Sequence, residues 1–219
     1  MMTCLKYSNI GNRKENQDFV LVRELGENKV LYIVADGMGG YSHGSVAARV
    51  VAESIADSLM KGLDIDCSVS SANNKLKEII AESNADKMGC CLSGLLVEDG
   101  CVKGFWVGDC RIYQYRNNEQ LFVTEDHSLV SQLEKHKKLT IAQRERYGHI
   151  VSRAIMGSSE DKVDVVELNV MPGDEIILCS DGIHKEIPMD ALIEMIHTNT
   201  LQLDDSEFDD NNSFIYIRI

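Results

Sequence analysis

Short runs in which apolar residues recur at every second position, or fill the whole run, are spaced along the chain and bounded by Gly, Asn and Asp. Period two is the repeat of a strand with one buried face, so these runs predict strands over 19–23, 29–35, 91–97, 102–107, 111–115, 163–168, 175–179 and 214–219. Hairpin-type turns join several of them: Gly26-Glu27-Asn28, Glu98-Asp99-Gly100 and Arg116-Asn117-Asn118. A different repeat fills 45–60, where Ala47, Val51, Ile55 and Leu59 recur every four residues and line one face of a helix. Further helices are predicted over 72–82 and over 188–197, the latter with Pro188 at its start. Hairpin-linked strands with helices grouped between them point to an α+β fold built on antiparallel sheets.

Three apolar runs lead into aspartate: 30–35 into Asp36-Gly37, 104–108 into Asp109, and 176–180 into Asp181-Gly182. The plainer explanation of any one is a turn aspartate bonding its own backbone. Three together read differently, because carboxylates gathered at buried strand ends repel one another unless a cation lies among them. Oxygen-only ligation favours Mg²⁺ or Mn²⁺ over zinc. Asp18, close to Arg13, and the pair Asp209-Asp210 flank strands in the same way, and Arg13 is a candidate grip for a phosphate. Gly37-Met38-Gly39-Gly40 has neither the Lys-Ser/Thr ending of a P-loop nor the spacing of a dinucleotide fingerprint, but its bare backbone lets a carbonyl approach a cation.

Composition narrows the partners. With 22 Lys and Arg against 35 Asp and Glu, the 219-residue chain carries a net charge of −13, which argues against nucleic acid and against an anionic membrane surface as partners. No apolar stretch reaches the length of a membrane span, and the first residues have no signal-peptide core. Seven cysteines without a C-x-x-C pair predict reduced, mostly buried thiols and a cytoplasmic protein. No Pro-rich or Gly/Ser-rich linker divides the chain, so 1–219 reads as one domain, with a charged, flap-like segment at 132–148.

Taken in order, Arg13 with Asn16-Gln17-Asp18, 35–40, Met88-Gly89, 107–113, 124–128, 179–183 and Asp210-Asn211 resemble the metal-dependent, protein phosphatase 2C-like family of serine/threonine phosphatases in its bacterial form. The resemblance covers essentially the whole chain. It implies two stacked antiparallel sheets flanked by helices, with a Mn²⁺ or Mg²⁺ centre of two ions and a third, looser one. By position it implies Asp36 as bridging ligand, the Gly37 carbonyl as a ligand of one ion, and Asp181 and Asp210 as ligands of the other. Asp18 matches an inner or water-mediated ligand, Asp109 with Asp181 the third-ion pair, and Arg13 the substrate-phosphate clamp.

Phosphorylated proteins as substrates, a cognate Ser/Thr kinase and a monomeric state follow as expectations. The departures are Met38 where some relatives carry a histidine, Tyr41 after the glycines, Cys110 for a usual serine, and a short segment before Asp210. Two rival readings differ in class. One is a pseudophosphatase, a phosphoprotein-binding regulatory module with an incomplete metal site; the other is a structural calcium-binding domain, which Arg13 disfavours.

Overall fold

The computed structural model describes residues 3–39, 43–83, 87–158 and 160–219. Gly40 and Tyr41 therefore lie outside the described residues. Ten strands form two five-stranded antiparallel sheets among these residues. The first has the order β1 (Thr3–Asn9), β10 (Asn212–Arg218), β9 (Glu175–Cys179), β6 (Arg111–Arg116), β7 (Glu119–Val123). The second runs β2 (Asp18–Gly26), β3 (Lys29–Met38), β4 (Gly89–Glu98), β5 (Cys101–Val107), β8 (Asp164–Leu168).

Side-chain alternation produces four layers. On β3, Leu31, Ile33 and Ala35 pack with Ala47, Val51 and Ile55 of helix α1 (His43–Met60), while Tyr32 and Val34 face Ile176, Leu178, Ile215 and Ile217 of the other sheet. Helix α2 (Ile65–Ser83) joins the α1 layer through Val69, Ala72 and Leu76. The outer face of the first sheet, through Ile177, Cys179, Phe214 and Tyr216, is covered by Ile183 of α5 (Asp181–His184) and Leu192 and Ile193 of α6 (Met189–His197). Short helices α3 (Leu129–Glu134) and α4 (Ile141–Tyr147) fill the predicted flap segment, the second started by a capping box of Thr140 and Gln143.

The expected sandwich is present, with informative differences. Strands β1 and β7 escaped the pattern because they are edge strands with mostly exposed side chains, so neither face carries an apolar alternation. Helix α2 starts seven residues before the predicted 72, since Ser68, Ser70 and Ser71 dilute its apolar stripe, although Ile65, Val69, Ala72 and Leu76 still hold one face. Strand β3 runs past 35 to Met38, which puts Asp36 within the strand instead of after it. The predicted turns hold: Asn28, Asp99, Asn117 and Asn118 have positive φ, between 49° and 65°.

Candidate metal centre

The alternation that turns Val20 and Val34 toward the first sheet also fixes Asp18 and Asp36. Each lies two residues along its strand from that valine, and the two aspartates are direct partners across β2 and β3. Cys91 opposite Asp36 on β4 extends the row. Hydrophobic patterning therefore delivers two carboxylates to one end of the inter-sheet space. Like charges opposite each other on adjacent strands are destabilising, so the placement calls for compensation.

The other sheet and its connections close the site. After β5 the chain turns through Gly108, at φ 89°, where a side chain would strike the Cys91 sulfur, and presents Asp109. Asp181 opens α5 immediately after β9. One carboxylate oxygen from each of Asp36, Asp109 and Asp181 falls within a mutual separation of 4.8 Å. Asp18 stands deeper: its Oδ2 accepts from Ser180 Oγ at 2.7 Å, and its buried Oδ1 has no hydrogen-bond partner. Asp210 lies outside the three-carboxylate cluster and pairs with the Arg13 guanidinium at 2.7 Å, both side chains being substantially exposed. Gly37 is packed so closely on α1 that a Cβ would meet the Gly44 carbonyl oxygen at 2.1 Å. No side chain could be accommodated there without moving the helix.

Electrostatics register the crowding. Burial, and then the charge of Asp18 with those of Asp181 and Asp109, holds the Asp36 carboxyl well above its ordinary value. Asp18 is pushed up to about 7, chiefly by burial, which outweighs the hydroxyls of Ser180 and Ser213. Asp109 is raised by burial and by Asp181, against the opposing influence of Lys185. Arg111 is locked on Asp126 by two 2.7 Å hydrogen bonds, and a cavity of about 320 Å³ opens between Asp109, Arg111, Asp126, Arg144, His184 and Lys185.

A family profile described as protein phosphatase 2C matches residues 7–211. The chain belongs to the protein phosphatase 2C family. Within that family it is similar to the serine/threonine phosphatase stp of Listeria monocytogenes, at 30% identity over 199 residues, 84% of this chain and 78% of the other. The S. agalactiae serine/threonine phosphatase superimposes with a TM-score of 0.84 at 24% identity, with all of both chains covered. The catalytic domain of the serine/threonine protein phosphatase PstP, in complex with two manganese ions, gives 0.76 at 21% identity, with 99% of this chain and 97% of that one covered. At these identities the two structures speak to the fold.

The donor set of this protein phosphatase 2C chain fits a hard divalent cation. Its converging atoms are carboxylate oxygens, it leaves a buried oxygen of Asp18 unpartnered, and its mutual repulsion is the kind a cation relieves. All five sequence-predicted aspartates gather at this end of the sandwich: Asp36, Asp109 and Asp181 at close range, Asp18 opposite Asp36 on the neighbouring strand, and Asp210 with Arg13 beside them. Sequence reading did not single out Ser180, His184 or Lys185. Ser180 fixes Asp18, and the His184 ring nitrogen donates to the Asp109 carbonyl at 2.9 Å. Their signal was adjacency to Asp181, too weak to separate from ordinary turn residues.

Proposed function

We propose that the chain is a phosphoserine/phosphothreonine protein phosphatase that uses Mn²⁺ or Mg²⁺. The observation that carries this reading is the convergence of Asp36, Asp109 and Asp181 at the end of a protein phosphatase 2C sandwich, with a guanidinium at its edge. In this reading Asp36, the Gly37 carbonyl, Asp181 and Asp210 would hold the two ions, with Asp36 as the shared ligand and Asp18 as an inner or water-mediated one beside them. Bound there, the ions supply a water acidic enough to act as nucleophile near neutral pH and neutralise charge on the phosphoryl group.

The chain's own groups have distinct tasks. Arg13, with its side chain 56% exposed, is placed to exchange part of its hold on Asp210 for the substrate's phosphate oxygens. The site cysteines are not nucleophiles, because burial pushes the thiols of Cys91 and Cys110 up and keeps them protonated. His184 is not a general acid at neutral pH, since burial pushes it down to about 4. Buried reduced thiols support a cytoplasmic setting, and no described helix is long and apolar enough to cross a membrane. A Ser/Thr kinase acting on the same proteins is the partner this activity implies.

The test is hydrolysis of a phosphothreonine peptide with Mn²⁺. Activity should vanish in EDTA and in Asp36→Asn, and Arg13→Ala should raise KM by about tenfold or more. Undiminished turnover in EDTA would overturn the metal mechanism; phosphopeptide binding with no turnover would instead establish the binding-module reading.

A further inference from the structure

His127 is joined to the turn that carries Asp109 by two hydrogen bonds with Gly108. Its backbone N–H donates to the Gly108 carbonyl at 2.8 Å, and the Gly108 N–H donates to its ring Nδ1 at 3.1 Å. The two bonds hold the peptide planes on either side of the Gly108 Cα, one through the His127 side chain and the other through its backbone. Asp109 follows directly, and its carboxylate belongs to the three-carboxylate cluster.

The bond to Nδ1 also fixes where the ring carries its proton. A nitrogen that accepts is unprotonated, so the proton of the neutral imidazole sits on Nε2 and is donated to Asp164 Oδ2, 3.2 Å away. Nε2 then has no lone pair for the Arg153 guanidinium 3.0 Å from it, and Arg153 instead pairs with Asp164 Oδ1 at 2.8 Å and donates to the Lys162 carbonyl at 3.0 Å. Burial, and then the charge of Arg153, push the ring's pKa down against the pull of Asp164, which leaves it neutral at pH 7. Trp106 stacks on the ring, with centroids 6.0 Å apart and planes 10° from parallel, and the His127 carbonyl accepts from the Ser152 N–H at 2.7 Å. Both ring nitrogens are therefore taken, one by the turn and one by the start of β8.

We propose that His127 is a positioning residue for the phosphatase reaction, its Nδ1 aiming the Asp109 carboxylate into the cluster by accepting the Gly108 N–H. This role rests on the function proposed above and falls to a residue outside the carboxylate cluster. Gly108 is buried, so its N–H, stripped of the ring acceptor, gains a partner only by swinging its peptide plane. A glycine at φ 89° offers little resistance to that swing, and Asp109 moves with it. A misplacement of about 1 Å at a reacting site is enough to cost about a hundredfold in rate.

Hydrolysis of a phosphothreonine peptide with Mn²⁺ by the full chain tests this, for wild type, His127→Leu, His127→Asn and His127→Gln, each also made in an Asp109→Asn background. Asn puts an acceptor oxygen where Nδ1 stands, Gln puts its oxygen where Nε2 stands, and Leu supplies none. The expected result is a kcat about tenfold or more below wild type in His127→Leu and His127→Gln, with KM within about twofold, and most of the turnover restored in His127→Asn. With Asp109→Asn already present, the same replacements should change kcat by less than about twofold, because the role passes through Asp109. Long-range ¹H–¹⁵N NMR should show the wild-type His127 ring protonated on Nε2 alone. Circular dichroism verifies each fold, and if His127→Leu does not fold, the contrast between Asn and Gln decides. Undiminished turnover in His127→Leu, equal losses with and without Asp109, Gln serving as well as Asn, or a ring protonated on Nδ1 would overturn the role of His127 and leave the phosphatase reading standing. A wild type without Mn²⁺-dependent turnover would overturn that reading and the role of His127 together.

Discussion

Asp18 and Asp36, directly opposed on neighbouring strands, form an arrangement that folding alone would not select. A carboxyl whose pKa is raised in the fold destabilises the folded state at neutral pH, because its charged form is better off in water. Asp36 should accordingly be a residue whose loss helps the metal-free fold while ending the chemistry. Asp36→Asn is expected to raise the melting temperature in EDTA by several degrees, a gain of about 1–2 kcal/mol, while removing Mn²⁺-dependent turnover. Differential scanning calorimetry beside a phosphopeptide assay checks both halves, and a lower melting temperature in EDTA would contradict the account. At this scale the sequence was legible where a residue's type and its place on a strand coincide, as for Asp36, Asp109 and Asp181. It was opaque for Ser180 and Lys185, whose importance lies in what they touch.

Strand ends away from the site carry their own ionic fastening. Asp174, fully buried before β9, accepts from Arg116 of β6 at 2.7 and 2.8 Å, from Gln114 at 2.9 Å and from the Met171 N–H at 3.0 Å. The Arg116 hydrogen bonds, chiefly, pull the carboxyl down to about 2 against its burial. Since the folded value lies below the unfolded one of about 4, the stabilisation is complete above about pH 4 and is lost as the pH falls through about 2. Asp174→Asn should cost about 2 kcal/mol at pH 7 and flatten the acid limb of the stability profile below about pH 4. Urea unfolding at pH 7 and pH 3 measures it, and equal losses at the two pH values would sink the explanation. Helix α1, with one buried face, was readable from its periodicity, and β3 and β9, buried on both faces, from their unbroken apolar runs. The edge strands β1 and β7 were not, because their pairing is backbone to backbone and leaves no side-chain repeat.

For the whole molecule, the centre is a joint between layers. Asp36 comes from the second sheet, Asp109 from the turn leaving that sheet, Asp181 from the turn leaving the first, and Gly37 from the strand wedged beneath α1. Cations bound across it should fasten the two sheets together. Mn²⁺ at about a hundred times its dissociation constant is expected to add about 2.7 kcal/mol, or roughly 5–10 °C in a chain of this size. Thermal melts with and without Mn²⁺ check this, and the increment should disappear in Asp36→Asn. An increment that survives that substitution would place the stabilising ion elsewhere.

The amino-acid order by itself determined the α+β class with antiparallel sheets, most strands, the helix α1 and the identity of the acidic residues, because burial periodicity and turn chemistry are local properties of a chain. Only the tertiary structure decided that Asp36, Asp109 and Asp181 converge while Asp210 turns to Arg13, and that Lys185 reaches back onto Asp181. Those facts depend on how two sheets stack and which ends coincide. Stacking is set by the summed packing of Val34, Ile176, Leu178 and Ile215 across the interior, and no single stretch of sequence contains it.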